Sequence, residues 1–467
     1  MAENTGDIEQ PDELPPLPPP DVDHLTRGGV GRALWKLSAP VVAGHILFTT
    51  LNLVDLAWIG QLRQPAITAA VFQSSRVIMV VQVVLMGLIT GSSALVSRAI
   101  GERDVNRAAE AVGQTILMIL LFWALVAATS WLFARPVFDL LGAPTAVAEP
   151  ASRYLLILLS FSGMLGFQFA LSAVLQSAGD TRTPLIMSII ATGTNAALDP
   201  LLIFTANLGV AGAAWATVIG RFVSVAYGFV VLFAGSRVIR LHWRQLLPRP
   251  GTIWRMVAIG LPTAVQSAVR HMGGLIVLMF VNPYGAEVAA GYGICQRIQM
   301  VPMIPGFGLG RSAGVLVGQN LGAGKPRRAA HSTWLAAAWF TGVMIVAGGA
   351  MLIFARPLIR LFLADAPEAT VAAGRHYLMF IVPAFIPIAV GLTLALAMRG
   401  AADTVSPLVI TSIGMVVILT GAALLGQKDG PMGLNGVWLS MLVGESLRGG
   451  IMILWFLRGR WKHKRAW

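Results

Sequence analysis

Charge is scarce in this sequence. Asp, Glu, Lys and Arg make up 12% of 467 residues, about half the share of an ordinary globular protein. Hydrophobic residues reach 56% and the mean hydropathy is +0.73, which excludes a set of soluble domains: no core of this size buries so much apolar surface. A single cysteine, Cys295, excludes an intrachain disulfide, and its apolar surroundings make it a packing residue. No metal-ligand spacing and no nucleophile–base set stands out, so neither an enzyme nor a cofactor is expected. Gly324-Lys325-Pro326 lacks the Ser/Thr and the upstream glycine of a phosphate loop. Gly306-Phe307-Gly308-Leu309-Gly310 follows no strand and reads as close helix packing. The net charge of +13 is scattered over loops and ends, which argues against a nucleic-acid partner.

What remains is a polytopic membrane protein. Residues 1–23 hold seven acids, six prolines and no Lys or Arg, too little apolar surface to offset the entropy of ordering. The first thirty residues are therefore expected to be a disordered acidic tail, with no apolar run of signal-peptide length. Beyond Leu34, long apolar runs alternate with short polar joints. Twelve transmembrane helices are predicted at about 37–60, 67–92, 109–133, 152–176, 184–205, 210–234, 258–281, 288–316, 333–354, 376–397, 407–425 and 436–457, each long enough to cross a ~30 Å hydrocarbon core. With both termini inside, inner loops and tails carry 21 Lys and Arg and outer loops carry seven, the bias expected for cytoplasmic termini in a bacterial inner membrane.

The halves repeat. Phe133-Ala134-Arg135-Pro136 returns as Phe354-Ala355-Arg356-Pro357. Gln176-Ser177-Ala178-Gly179-Asp180-Thr181 returns as Arg399-Gly400-Ala401-Ala402-Asp403-Thr404, and Pro40 is answered by Pro262. The offsets are 221 to 224 residues, and six spans per copy give both copies one orientation. This implies an all-α fold of two pseudo-symmetric six-helix bundles around a central cavity. The expected parts are an N-lobe at 31–234, a cytoplasmic linker at 235–257, a C-lobe at 258–457 and a basic tail at 458–467.

Three features give the chain a family likeness: a proline-bearing first span ending in Val54-Asp55 and Ile59-Gly60, the paired Gly-Asp-Thr-like joints, and Leu316-Val317-Gly318-Gln319-Asn320-Leu321-Gly322-Ala323, read as lying after span eight. From about residue 33 to 457 the chain resembles the multidrug and toxic compound extrusion (MATE) transporters, most closely their DinF-type branch. The second joint departs in having Ala402 for the glycine. The resemblance implies an antiporter driven by H⁺ or Na⁺ and exporting small amphipathic, often cationic organic compounds. It also implies an N-lobe cation or proton site made by Asp55, Asp199, Asn195, Tyr154 and Thr217. The alternative is a flippase for a lipid-linked saccharide, found among more distant relatives of the fold.

The residues support that reading on their own. A carboxylate inside a bilayer is costly and so marks a functional site by default. Asp55 and Asp199 lie well within spans, roughly 8 and 9 Å from the outer ends at ~1.5 Å per residue. Asn195 lies one turn before Asp199 on the same face. Pro200 frees the carbonyl of Ala196, and with Pro40 it is a candidate bending point. The repeat equivalents of Asp55 and Asp199 are about Val277 and Ala422, so the second lobe lacks both carboxylates. A buried structural hydrogen bond is the competing account. Arg221 and Glu445 hold equivalent positions and could pair across the lobes, or Glu445 could pair locally with Arg448. Gln266, Arg270 and His271 could line the substrate cavity, while His45 reads as a packing residue. The expected partners are small amphipathic molecules and the bilayer, with the protein acting as a monomer.

Overall fold

A computed structural model describes residues 23–61, 65–140, 142, 144–234, 239–464 and 466–467. The expected disorder of residues 1–22 lies outside the described residues. The N-lobe comprises α1 (Val30–Gln61), α2 (Pro65–Gly101), α3 (Val105–Leu140), α4 (Thr145–Ser160 and Ser162–Ala178), α5 (Arg182–Pro200) and α6 (Val210–Ala234). The C-lobe comprises α7 (Pro250–Val281), α8 (Ala286–Gly322), α9 (Pro326–Ile353), α10 (Glu368–Ile381 and Phe385–Gly400), α11 (Val405–Leu425) and α12 (Leu434–Leu457). Among the described residues there is no strand. All twelve spans are present, eleven as helices long and apolar enough to cross a bilayer and the twelfth, α4, as a pair bent by 46°.

Most helices outrun their apolar windows because polar turns continue them. Proline opens α2, α7 and α9, where its missing N–H costs nothing and its fixed φ suits the first turn. Two spans expected to be continuous are broken. In α4 the Trp123 indole N–H donates to the Ser160 carbonyl at 2.7 Å, and the ladder breaks at Phe161. In α10 Pro383 removes a donor, and the 3-10 turn Val382–Ala384 divides the helix.

Several boundaries are corrected. α8 runs to Gly322, so the Gly318-Gln319-Asn320 stretch lies inside its last turns and not after them. α7 begins at Pro250, within the stretch read as linker, which also holds a 3-10 turn at Trp243–Leu246. The presumed free ends are docked: Asp23–Thr26 forms a helical turn with Leu25 buried, and Trp461 and Ala466 are buried near the other end. Neighbouring chemistry explains this. Lys325 Nζ donates to the Thr26 carbonyl at 2.9 Å, Arg328 donates to the carbonyls of Leu25, Arg27 and Gly28, and the Arg107 guanidinium lies over the Trp467 ring. Residues 23–28 and 466–467 therefore lie on one face.

The repeat is visible in the backbone. Left-handed residues recur in register: Arg103 (φ 60°) with Gly324 (φ 70°), Gly179 (φ 100°) with Ala402 (φ 63°), and Gly209 with Gly433, both φ 54°. In each case a helix must be stopped and the next one started within a few residues.

The lobes meet through α1 and α2 on one side and α7 and α8 on the other. A Cβ on Gly91 would come within 2.1 Å of the Met256 carbonyl oxygen, and one on Gly318 within 2.0 Å of Ser97 Oγ. Trp35 meets Trp339 edge-on, and Gln319 Nε2 donates to the Ser177 carbonyl at 2.9 Å. Among the described residues, every interlobe hydrogen bond, ring contact and glycine approach falls in the half nearer the termini.

Candidate functional site

Four helices of the N-lobe bring the predicted residues together. α1 supplies Asp55, α4 Tyr154, α5 Asn195 and Asp199, and α6 Thr217. Gly220 makes the convergence possible, because a Cβ there would sit 2.7 Å from the Ala191 carbonyl oxygen and 3.2 Å from the Asn195 nitrogen. Gly212 does the same about two turns earlier in α6, against the carbonyl group of Leu202. At that level α5 passes from α-helix through Pro200 into a five-residue π-helical stretch, Leu201–Thr205. Proline removes one ladder donor and crowds the carbonyl four residues back, and such wide turns are frequent at functional sites. Pro40, by contrast, stands inside an unbroken α1.

The Asp55 carboxylate lies beside Asp199, Thr217 and Asn195. Asp199 and Asn195 are wholly buried, and Thr217 and Tyr154 nearly so. Asn195 Nδ2 donates to Thr217 Oγ1 at 3.2 Å. Yet Asp55 Oδ1, Asn195 Oδ1 and both Asp199 oxygens are buried without a donor, an arrangement that costs free energy unless something fills the gap. Arg221 of α6 stands in electrostatic range of Asp55 and Tyr154. Two carboxylates and one guanidinium leave a formal charge of −1 when all are ionised. One proton or one monovalent cation balances it, and the carboxylate, amide and hydroxyl oxygens suit either ion.

The pseudo-equivalent region of the C-lobe is built otherwise. Val277 and Ala422 are buried in its core, and Tyr377, the counterpart of Tyr154, packs with Tyr292 and Trp438 in an aromatic knot. Buried Val277 and Ala422 stand at the repeat positions where the N-lobe keeps its acids.

Arg221 and Glu445 do not pair across the lobes. Arg221 belongs to the acid cluster, and Glu445 forms an ion pair with Arg448 one turn away. Gln266 does not line an open cavity: it is buried, its Nε2 donates to Thr411 Oγ1 at 2.7 Å and to the Pro407 carbonyl at 3.0 Å, and its Oε1 accepts from Arg399 at 2.7 Å. Arg270 and His271 are exposed on α7, with a His271 ring nitrogen 2.7 Å from the Ser267 carbonyl oxygen. His45 of α1 lies in electrostatic range of Arg311 of α8, across the lobe boundary. The residues missed in the sequence are Arg311 and Arg399. Their signal was available, since an arginine within or at the edge of an apolar span is as unusual as a carboxylate there.

Comparison with known proteins agrees with this architecture. A family model described as MatE matches twice, at residues 40–201 and 262–424. The matches start 222 residues apart (262 less 40), which is the offset of the internal repeat. A probable multidrug resistance protein NorM from Thermotoga maritima is 28% identical over 454 residues, covering 94% of each chain. A protein named FAD transporter from Shewanella oneidensis is 26% identical over 92% of this chain and 95% of its own. In fold, a multidrug resistance MATE family transporter in an outward-facing conformation aligns with a TM-score of 0.88 at 21% identity, over 95% of this chain and 99% of that one. Two matches to one family model, one per lobe and together spanning most of the chain, establish that this protein belongs to the MATE family of transporters.

Proposed function

We propose that the protein is an antiporter that exports amphipathic organic compounds by alternating access, driven by H⁺ or Na⁺ entering the Asp55–Asp199 site. The observation that carries this reading is the one-sidedness of the acids. Four buried oxygens of Asp55, Asn195 and Asp199 lack a donor in one lobe, while buried Val277 and Ala422 stand at the equivalents of the two acids in the other. A merely structural polar cluster has no reason to be confined to one copy of a repeat. Binding a cation removes the formal charge and lets α1, α5 and α6 pack more tightly around Gly220. Releasing it restores repulsion between the two carboxylates. The two packings of the N-lobe then bias the orientation of the lobes.

The charge bias of the loops supports cytoplasmic termini in the inner membrane of a bacterium. The lobes meet in the half nearer the termini, so the cleft between them would open to the outside, the side from which the coupling ion arrives. One elementary charge moving through 100 mV releases about 2.3 kcal/mol, enough to concentrate a solute tens of fold. Relatives named for multidrug resistance and for FAD transport indicate that the family does not dictate one substrate charge.

The test uses full-length protein in liposomes holding an inside-acid pH gradient, first without and then with an opposing Na⁺ gradient. Substrate-dependent dissipation of either gradient is expected for wild type and should vanish in Asp55→Asn, with insertion and thermal unfolding little changed. Dissipation of equal rate in the variant would remove Asp55 from the mechanism.

A further inference from the structure

The C-lobe gathers cationic side chains that the coupling site does not use. Arg270 of α7, Arg311 of α8, Arg399 of α10 and Arg448 of α12 form a connected group. Arg399 is in electrostatic range of Arg270 and Arg311, and Arg270 of Arg448. Glu445 is the carboxylate that answers them among the described residues, through its ion pair with Arg448. Four guanidinium groups against one carboxylate leave a formal charge of +3 within the spanning part of the molecule.

Structure accounts for part of this group. Arg399 is held by Gln266, which is in turn held by Thr411, and Arg448 by Glu445. Arg270 and Arg311 make no hydrogen bond and no ion pair among the described residues. The Nε atoms of Arg399 and Arg448 are buried without an acceptor, and Arg448 is 5% exposed. Arg270 keeps an accessible surface although it lies deep among the helices, and Arg311 stands at the lobe boundary opposite His45. Like charges held together in a low-dielectric setting repel, and unpaired buried donors cost more than made bonds return. A multiply charged anion placed among them relieves both costs, and planar guanidinium groups suit the oxygens of phosphate.

We propose that the C-lobe arginines, with Arg270 and Arg311 as the accessible pair, bind a phosphate-like anionic group on the exported compound. This rests on the exporter reading and narrows it: the substrate is an amphipathic organic anion and not an organic cation. The two lobes then divide the work, with the coupling cation on the acids of one and the cargo anion on the bases of the other.

Flavin mononucleotide and riboflavin provide a test, since both fluoresce and they differ by one phosphate ester. Binding is measured on purified full-length protein in nanodiscs. Flavin mononucleotide should bind at least about tenfold more tightly than riboflavin. Arg270→Gln and Arg311→Gln should each lower its affinity by about tenfold to a hundredfold, leave riboflavin unchanged, and be partly rescued by Arg270→Lys. A thermal melt of each variant separates lost binding from lost folding. Competition by phosphatidate in the nanodisc would identify a lipid-borne phosphate as the source of the anion, and its absence a soluble one. Equal affinities for the two flavins, or indifference of the phosphate ester to both variants, would overturn the proposal. Ethidium exchange against protons with no response to flavin mononucleotide would overturn it while leaving the exporter intact. Arginine-dependent binding without any gradient-driven movement would uphold the anion site and remove the exporter.

Discussion

Ala402 carries a left-handed backbone, φ 63°, at the place where the first lobe uses Gly179. A non-glycine residue pays about 1–2 kcal/mol for that conformation, while glycine pays back part of the gain in unfolded-state entropy. Ala402→Gly should therefore raise stability by about 0.5 kcal/mol or more, read as a higher midpoint of thermal unfolding. The reverse exchange, Gly179→Ala, should destabilise, because its Cβ would also meet the Leu25 side chain at 2.9 Å. The departure from the repeat was legible in the sequence, as were Asp55 and Asp199, because a carboxylate in an apolar run announces its cost. The arginines were harder to read. Arg399 reads as an inner-loop charge and Arg311 falls within span eight, and nothing local says that α8 and α10 bring the two into range of each other and Arg399 into range of Arg270. A like-charge cluster is a property of helix orientation, which periodicity does not reveal in spans apolar on every side.

Among the elements, α5 and α6 show how little slack the acid site has. Gly220 lets the two helices touch beside Asn195, so any side chain there must push them apart. Gly220→Val should cost about 1–3 kcal/mol and abolish coupled transport in the liposome assay, with Gly220→Ala intermediate. Substrate-driven gradient dissipation at the wild-type rate in the valine variant would show that this spacing does not matter. All the helices were expected from hydropathy, but not their breaks. Pro383 marks the interruption of α10 in plain view. The bend in α4 depends on an indole 37 residues away in α3, a contact between helices that no local pattern encodes. The π-helical end of α5 lies between these cases: Pro200 flagged a disturbance, and the packing of Gly212 on Leu202 selected its form.

For the whole molecule, the repeat offset was the most informative signal. It predicted two lobes of like orientation, and the left-handed pairs Arg103/Gly324 and Gly209/Gly433 carry it into the backbone. Which halves of the lobes touch was not legible, since one sequence serves every orientation of the cycle. The contact between Ser97 and Gly318 offers a direct test of that cycle. A Cβ on Gly318 would stand 2.7 Å from the Ser97 Cβ, close enough for a bridge after a small adjustment. In a Cys295→Ser background, Ser97→Cys with Gly318→Cys should cross-link under oxidation, halt transport, and recover on reduction. Full activity of the cross-linked protein would mean that the lobes need not part on this face.

The docked turn at Asp23–Thr26 sets a limit on that parting. It is moored to the C-lobe by Lys325 and Arg328, while the chain it belongs to enters α1 of the N-lobe at Val30. The last held carbonyl is that of Gly28, two residue steps from the helix. Fully stretched, they reach about 7 Å at 3.3–3.6 Å per residue. The leading end of the chain is thus a tether of fixed length across the seam. Either the stroke of the transporter on this face stays within that span, or each cycle must pull the turn from its two cationic holders and seat it again.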